Sequence, residues 1–161
     1  QLLDIRPDVK IYGSNGDPAT GLQHLREGAC DAFMFPFAEA IQLALHLDDL
    51  ETLELNPREF VPAPAQGVLA WQTHRDDLPT RRILKQIHHP EISALTNVER
   101  RAAQLIGSQI PFGVFAERDA AGNLHAFAVG EIGGQLRRAR VSQSTSFGMA
   151  EQLSARLNEE L

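Results

Sequence analysis

The turn at residues 107–113, GSQIPFG, presents a serine hydroxyl at its apex. Gly107 starts this turn, and Pro111 and Gly113 bound it before an apolar strand begins. Ser108 is either an ordinary turn serine that bonds its own backbone or the remnant of a position where another small residue did chemistry. It is not the nucleophile of a strand-to-helix elbow, because the second residue after it is not glycine. No Ser/His/Asp arrangement can be assembled from spacing alone.

Six histidines raise the question of a metal site, and His88 and His89 form the obvious pair. Neighbouring residues on a helix point about 100° apart, so two adjacent rings seldom bind one ion. We therefore predict no metal ligand here, and we place both rings at a solvated helix C-terminus, where the dipole favours them. Cys30, the single cysteine, begins an apolar run in which a thiol is typically a small buried hydrophobe rather than a nucleophile.

The loop GSNGDPATG, residues 13–21, is rich in glycine and leads into a predicted helix capped by Asp17 or Thr20. Its backbone N–H groups could receive an anion at the helix N-terminus. The loop lacks the lysine of a P-loop and the spacing of a dinucleotide-binding fingerprint, so a nucleotide site is not indicated. We interpret it as a loop that tolerates an anion.

The composition excludes several classes of protein. The formal net charge is −6, and the 15 basic residues form no long cluster, which argues against nucleic-acid binding. No apolar run approaches the roughly 18 residues that span a bilayer, so we expect no membrane association. A single cysteine suits a reducing compartment, and we expect a cytoplasmic location. The start at Gln1, in mid-pattern, indicates a fragment or a processed chain.

The first third of the chain alternates between predicted strands and helices. A helix ends at Pro7, a strand covers residues 9–12, a helix follows the glycine-rich loop, and a buried strand enters another helix across residues 30–45. This order is typical of an α/β layer with parallel pairing. The proline-rich residues 56–65 interrupt the rhythm, and a short strand is predicted at residues 67–73.

The remainder predicts an α+β unit. Amphipathic helices are expected at residues 78–89 and 90–105 and at the C-terminus, from Phe147 onward. Between them lie three strand-like runs, PFGVFAE, NLHAFAVGEI and LRRARVSQ, joined by two hairpin linkers. These runs predict a three-stranded antiparallel sheet with helices on one face.

Read in order, several segments resemble those of hydroxymethylbilane synthase, also called porphobilinogen deaminase, over nearly the whole chain. They include Arg6-Pro7-Asp8, the run Leu25, Gly28, Asp31 and Ala32, then Pro62-Ala63 with Gln66-Gly67, Asp76-Asp77, Glu99-Arg100, and Gly107 with Pro111 and Gly113. The resemblance implies the C-terminal half of a three-domain protein. Residues 1–75 would be a partial, periplasmic-binding-protein-like α/β region from domains 2 and 1, and residues 76–161 would be domain 3.

The resemblance also implies a chemistry against which the residues can be compared. This family joins four porphobilinogen molecules into a linear tetrapyrrole on a dipyrromethane cofactor, which a thioether ties to a cysteine in the third-domain turn. The matching position is Ser108, and a serine alkoxide is not accessible near neutral pH as a thiolate is. We therefore expect no attachment at Ser108, no bound cofactor and no catalytic residue in this chain.

Two arginines that meet substrate carboxylates in the family's loop are also replaced. Asn15 and Gly21 stand in their places, and Asp17 adds a repelling charge. The resemblance still implies substrate contacts at five positions, namely Asn15, Gly16, Thr20, Gln66 and Gly67. Further replacements by resemblance are Ala65 for glycine, Gln72 for glutamate and His74 for arginine.

The prediction is a divergent hydroxymethylbilane synthase-like protein that lacks the standard transferase activity by itself. Two alternatives stay open: an active transferase once an N-terminal half completes it, and a non-catalytic structural or partner-binding remnant. A pyrrole or another small anion is the expected ligand. A companion chain or self-association is expected through residues 1–70, where strands without partners would form open edges.

Overall fold

The computed structural model describes residues 1–13 and 17–159. It divides into two compact units, residues 1–55 and residues 56–161, each described here by itself. Helices are combined with one small antiparallel sheet, which confirms the mixed α/β class. The domain boundary between residues 75 and 76 and the periplasmic-binding-protein-like character stay predictions.

Three helices lie in the described part of residues 1–55: α1 (Leu2–Ile5), α2 (Pro18–Arg26) and α3 (Phe37–Gln42). The second helix begins as the sequence predicts, because the Asp17 carboxylate accepts a hydrogen bond from the Thr20 backbone N–H at 3.0 Å. Near its end, the Arg26 guanidinium donates to both carboxylate oxygens of Asp49, at 2.7 and 2.8 Å. This ion pair ties the segment after α3 back to α2.

Three predicted strands are not formed: residues 9–12, the apolar run that starts at Cys30, and residues 67–73. A strand needs a neighbouring strand to satisfy its backbone N–H and C=O groups, and no described segment pairs with any of these three. Their apolar side chains are correspondingly open, with Tyr12 79% and Trp71 60% exposed. The predictions of strand at these places are therefore wrong for this structure.

The unit of residues 56–161 is built on the predicted meander. Strands β1 (Phe112–Arg118), β2 (Leu124–Ile132) and β3 (Gln135–Gln143) pair antiparallel in the order β1-β2-β3. Glycines with positive φ make both connections, Gly122 in the first and Gly133 and Gly134 in the second. Helices α4 (Leu78–Lys85), α5 (Pro90–Ile106) and α6 (Met149–Asn158) complete the unit.

One face of the sheet packs against α5 and α6. Alternate residues of each strand point to these helices, as the two-residue period of a strand requires. The buried side chains of this core are Val98, Ala102, Val114, Ala116, Leu124, Ala126, Ala128, Val141, Met149, Ala150, Leu153 and Leu157. The outer edge of β3 is also contacted, because the Arg156 guanidinium donates to the Arg140 carbonyl at 2.7 Å.

The segment before α4 covers part of the opposite face. Val61 is 3% exposed and packs with Phe127 and Val129 of β2. The Pro62 carbonyl accepts from the Val114 N–H at 2.9 Å, along the outer edge of β1. A Cβ at Gly113 would lie 2.4 Å from the Val61 carbonyl oxygen, so this close approach requires glycine.

The histidine pair lies at the start of a helix, not at the end of one. Helix α4 stops at Lys85, and His89 is the N-cap of α5, where its Nδ1 accepts from the Ile92 N–H at 3.4 Å. Pro90 explains the break, because proline fits the first position of a helix but cannot donate a hydrogen bond inside one. The predicted helix over 78–89 is therefore confirmed only as far as Lys85, and the placement of His89 at a helix C-terminus is wrong. Among the described residues, no helix is long and apolar enough to cross a membrane.

Candidate functional site

Ser108 lies on an exposed turn directly after α5. Gly107 ends the helix with a φ of +83°, and its N–H donates to the Ala103 carbonyl at 3.0 Å. The Ser108 side chain is exposed and makes no hydrogen bond to another described residue. Ile110 anchors the far side of the turn by packing beside Gly130. The turn therefore offers a solvent-facing hydroxyl at a fixed place next to the sheet.

The segment that carries Gln66 and Gly67 forms a tight turn. Ala65 has a φ of +59° and Gly67 a φ of +78°. The Gln66 side-chain oxygen accepts from the Ala63 N–H at 3.2 Å, so in this structure its amide oxygen holds its own turn. An alanine in the left-handed region is unusual, and position 65 is one where the resemblance implies glycine.

A buried carboxylate connects this turn to the sheet. Glu99 of α5 is only 6% exposed; one oxygen accepts from the Ala65 N–H at 2.7 Å and the other from the Ala116 N–H at 2.8 Å. Burial raises the pKa of Glu99, and the two backbone hydrogen bonds oppose that rise. The sequence showed Glu99 only as half of a Glu-Arg pair; its role was missed because both donors are distant in the chain.

The predicted substrate contacts of the glycine-rich loop lie in the other unit. Thr20 donates from its N–H and its hydroxyl to Asp17, at 3.0 and 3.3 Å, and these bonds lower the pKa of the Asp17 carboxyl. Asn15 and Gly16 lie outside the described residues. A Cβ at Gly21 would lie 2.1 Å from the Phe33 ring. Glycine at position 21 is therefore a packing requirement, because the ring fills the space that a side chain would need.

A cavity of about 710 Å³ lies within residues 56–161, between residues 68–73, helix α4 and the first half of α5. Its lining includes the cations Arg81, Arg82, Lys85 and Arg100 together with His88 and His89, and it includes no carboxylate. Apolar side chains, Trp71 among them, and neutral polar side chains form the rest of its wall; the polar ones are Thr73, Ser93, Thr96 and Asn97. We call this cavity the basic groove. Sequence reasoning missed it because the cations of α4 have the spacing of an ordinary solvated helix face.

The structure also assembles a Ser/His/Asp chain that spacing alone could not reveal. His125 Nε2 lies 3.0 Å from an Asp119 oxygen, and His125 Nδ1 lies 2.8 Å from the Ser142 hydroxyl. Asp119 also accepts from the Asn123 backbone and side chain. The bonds to His125 and Asn123 lower the pKa of Asp119 to about 2. Because the chain joins the β1–β2 turn to β3, we assign it to holding the hairpin together.

The first half of the chain matches the profile of a known protein family. The profile of the family described as "Porphobilinogen deaminase, dipyromethane cofactor binding domain" matches residues 1–82. The chain belongs to the porphobilinogen deaminase family. This membership confirms the resemblance, and with it the assignment to a transferase family of tetrapyrrole biosynthesis.

Individual relatives in this family support the same assignment. The porphobilinogen deaminase of Chlorobium phaeovibrioides is 34% identical over 168 residues, covering 100% of this chain and 52% of the relative. That of Chloroherpeton thalassium is 32% identical over 84% of this chain and 43% of the relative. The probable porphobilinogen deaminase of Methanocaldococcus jannaschii is 35% identical over 73% of this chain and 40% of the relative. The chain thus spans about half the length, or less, of these curated relatives.

The expectation of no cofactor needs correction. The matched domain of the porphobilinogen deaminase family is a dipyrromethane cofactor-binding domain, so the family carries that cofactor. The expectation failed because it inferred the absence of a ligand from the loss of one attachment atom. The residues at the turn still do not fit a thioether, since position 108 offers oxygen rather than sulfur.

Proposed function

We propose that this chain is a pyrrole-binding member of the porphobilinogen deaminase family that does not polymerise porphobilinogen by itself. The observation that carries the proposal is the exposed serine at position 108, on a turn whose Gly107, Pro111 and Gly113 agree with the resemblance. A serine hydroxyl in solvent has no base beside it to activate it, since Ser108 makes no side-chain contact with a described donor or acceptor. Covalent attachment of a dipyrrole at this position is therefore not expected.

The electrostatics of the glycine-rich loop support the same proposal. The Asp17 carboxylate is ionised at neutral pH and bonds to Thr20, where the resemblance implies a contact with an anionic substrate. Phe33 packs against Gly21, so an arginine cannot be restored there without moving the ring. Each lost charge-assisted contact weakens transition-state binding by roughly 1.5–3 kcal/mol.

Intact-mass measurement after incubation with porphobilinogen tests this proposal. We expect the wild-type chain to keep its own mass and to release no bilane. Ser108→Cys should gain the mass of a dipyrrole if only the attachment atom is missing, and Ser144→Cys, at another exposed serine, should not. A covalent dipyrrole on the wild-type chain, or consumption of porphobilinogen by it, would refute the proposal.

A second proposal concerns what completes the chain. Most of the exposed large apolar side chains lie in the first 71 residues, including Ile11, Leu53 and Leu69, each at least 60% exposed. We propose that residues 1–70 pair with a companion chain or with a second copy, and that residues 1–75 form a periplasmic-binding-protein-like region when so completed. Light scattering behind size-exclusion chromatography should show a species larger than the monomer; a monomer at all concentrations would refute self-association.

The active-transferase alternative is favoured by the short span of the chain along its relatives, at most 52% in the alignments above. Fusion of the N-terminal part of the Chlorobium phaeovibrioides relative before Gln1 separates the two cases. Bilane formation by the fusion would show that an N-terminal part of the relative's kind, and not position 108, limits activity. We also propose a cytoplasmic location, because the chain has a single cysteine and belongs to a family of biosynthetic enzymes.

A further inference from the structure

The basic groove has a charge pattern that the fold itself does not require. Arg82, Lys85 and Arg100 make no ion pair with a described carboxylate, and Arg81 donates only to the Arg75 carbonyl. Some exposed arginines elsewhere in the chain are ion-paired, as Arg101 is with Glu151 at 2.9 Å, and others, such as Arg75, have no ion pair with a described carboxylate. Four cations thus line one cavity without a neutralising partner in a chain whose net charge is −6.

These charges also repel one another. Arg81 and Lys85 are four residues apart on α4, and Arg82 and Lys85 are three apart, so both pairs lie on neighbouring positions of one helix face. Like charges at such spacings destabilise a helix. The dipole of α4 favours Arg82 and Lys85 in its last turn, but it does not explain Arg100 across the groove or the lack of acidic residues. A bound anion would relieve this repulsion.

Apolar and aromatic side chains also line the basic groove. Trp71 is 60% exposed, Leu69 67% and Leu78 55%. An indole face stacks on planar conjugated ligands, while guanidinium groups pair with carboxylates in bidentate geometry. The combination matches a ligand with a flat ring system that carries several carboxylates, better than it matches a bare inorganic anion.

We propose that the basic groove binds an aromatic polycarboxylate, with the cations of α4 and Arg100 holding its carboxylates and Trp71 stacking on its ring. The inference rests on the proposed function in one respect only, since a carboxylated pyrrole is the member of this ligand class that a pyrrole-binding protein would meet. The groove lies wholly within residues 56–161 and is separate from the Ser108 turn in its lining.

Isothermal titration calorimetry with pyromellitate, an aromatic tetracarboxylate, tests the inference on the full chain. We expect saturable binding that weakens as ionic strength rises. The triple variant Arg81→Gln/Arg82→Gln/Lys85→Gln should weaken it at least tenfold. Arg100→Gln alone should weaken it several-fold and provides a second readout should the triple variant unfold. Unchanged affinity in both variants would overturn the proposal, as would the absence of binding to the wild-type chain.

A matched control separates a specific groove from general attraction to positive charge. Arg6→Gln/Lys10→Gln/Arg101→Gln removes the same charge from exposed positions outside the groove and should change affinity less than about twofold. An equal loss in both triple variants would refute a site in the groove.

The proposed stacking of the ligand ring on Trp71 is tested with a second ligand that has no ring. Butanetetracarboxylate carries the same four carboxylates without a ring, and we expect it to bind more weakly than pyromellitate. Trp71→Ala should remove that difference. Equal binding of inorganic phosphate, or a preference that survives Trp71→Ala, would overturn the assigned ligand class. A covalent dipyrrole at Ser108 would refute the proposed function and leave these titrations unaffected, so the two failures are distinguishable.

Discussion

Replacement of Glu99 by alanine should destabilise residues 56–161 more than any single surface substitution. The change leaves two backbone N–H groups without their acceptor, those of Ala65 and Ala116, now bonded at 2.7 and 2.8 Å. A donor orphaned in a buried place costs about 1–3 kcal/mol, so we expect a loss of about 2–4 kcal/mol in the free energy of unfolding. Against a typical total of about 5–15 kcal/mol this is a large fraction.

Urea denaturation followed by circular dichroism measures this loss. With an m-value of about 2 kcal/mol per molar, the midpoint should fall by about 1–2 M. Glu99→Gln keeps one acceptor oxygen and should recover about half of the loss, because its amide nitrogen cannot accept. Glu151→Gln, which removes one side of an exposed ion pair, serves as the control and should leave the urea midpoint nearly unchanged, because exposed ion pairs contribute little to stability. An alanine variant as stable as wild type would refute the role given to Glu99.

The pH dependence of the same comparison follows from the raised pKa of Glu99. At a pH between 4.5, the ordinary pKa of a glutamate, and the higher pKa of Glu99 in the folded chain, the Glu99 carboxyl is deprotonated in the unfolded chain and still protonated in the folded chain. The contribution of Glu99 to stability is therefore greatest below pH 4.5 and decreases as pH rises through the folded pKa. The difference between wild type and Glu99→Ala should shrink over that window; a difference that grows with pH would contradict the assignment.

Three further substitutions test the packing and the hairpin. Ala65→Gly relieves a φ of +59° and should raise the urea midpoint slightly, whereas Ala63→Gly, whose backbone is not in that region, should lower it. Gly21→Ala brings a Cβ to 2.1 Å from the Phe33 ring and should destabilise residues 1–55 by about 1–3 kcal/mol. Faster amide hydrogen exchange in α2 would report this loss, and the additional substitution Phe33→Leu should restore part of the stability. His125 and Asn123 lower the pKa of Asp119 from its ordinary value of 3.8 to about 2, so the wild-type chain should lose stability as pH falls from 3.8 toward 2. Asp119→Asn should not show this loss at acidic pH. Parallel stability–pH profiles for the two proteins would refute the role given to Asp119.

The sequence predicted those elements whose signals are local. The meander follows from alternating strands and from glycine turns at 122 and 133–134, and the Asp17 cap of α2 follows from one side chain and its neighbours. The predictions of strands at residues 9–12 and 67–73 were wrong because the formation of a strand depends on a pairing strand that can lie far away in the chain. The placement of His89 at a helix C-terminus was wrong because Pro90 starts a new helix. A proline at the first helical position is a stronger boundary signal than the apolar periodicity of the residues before it.

The site was predictable only in part. Ser108 could be located because the turn residues around it are distinctive, and its exposure agrees with an apex position. The double hydrogen bond of Glu99 joins residues 34 and 17 positions away, which no periodicity indicates. The basic groove depends on the absence of acidic side chains from a surface made by three segments, a property that exists only after folding.

Other parts of the chain already bond to backbone groups on the two outer edges of the sheet, and this affects aggregation. Along β1, the Val114 and Ala116 N–H groups are taken by the Pro62 carbonyl and Glu99; along β3, the Arg140 carbonyl is taken by Arg156. A second molecule cannot add a strand at these positions without displacing a proline-rich segment or a guanidinium. Fibre-like growth through this sheet is thereby discouraged, and a variant without Glu99 and Arg156 should be the one that forms it.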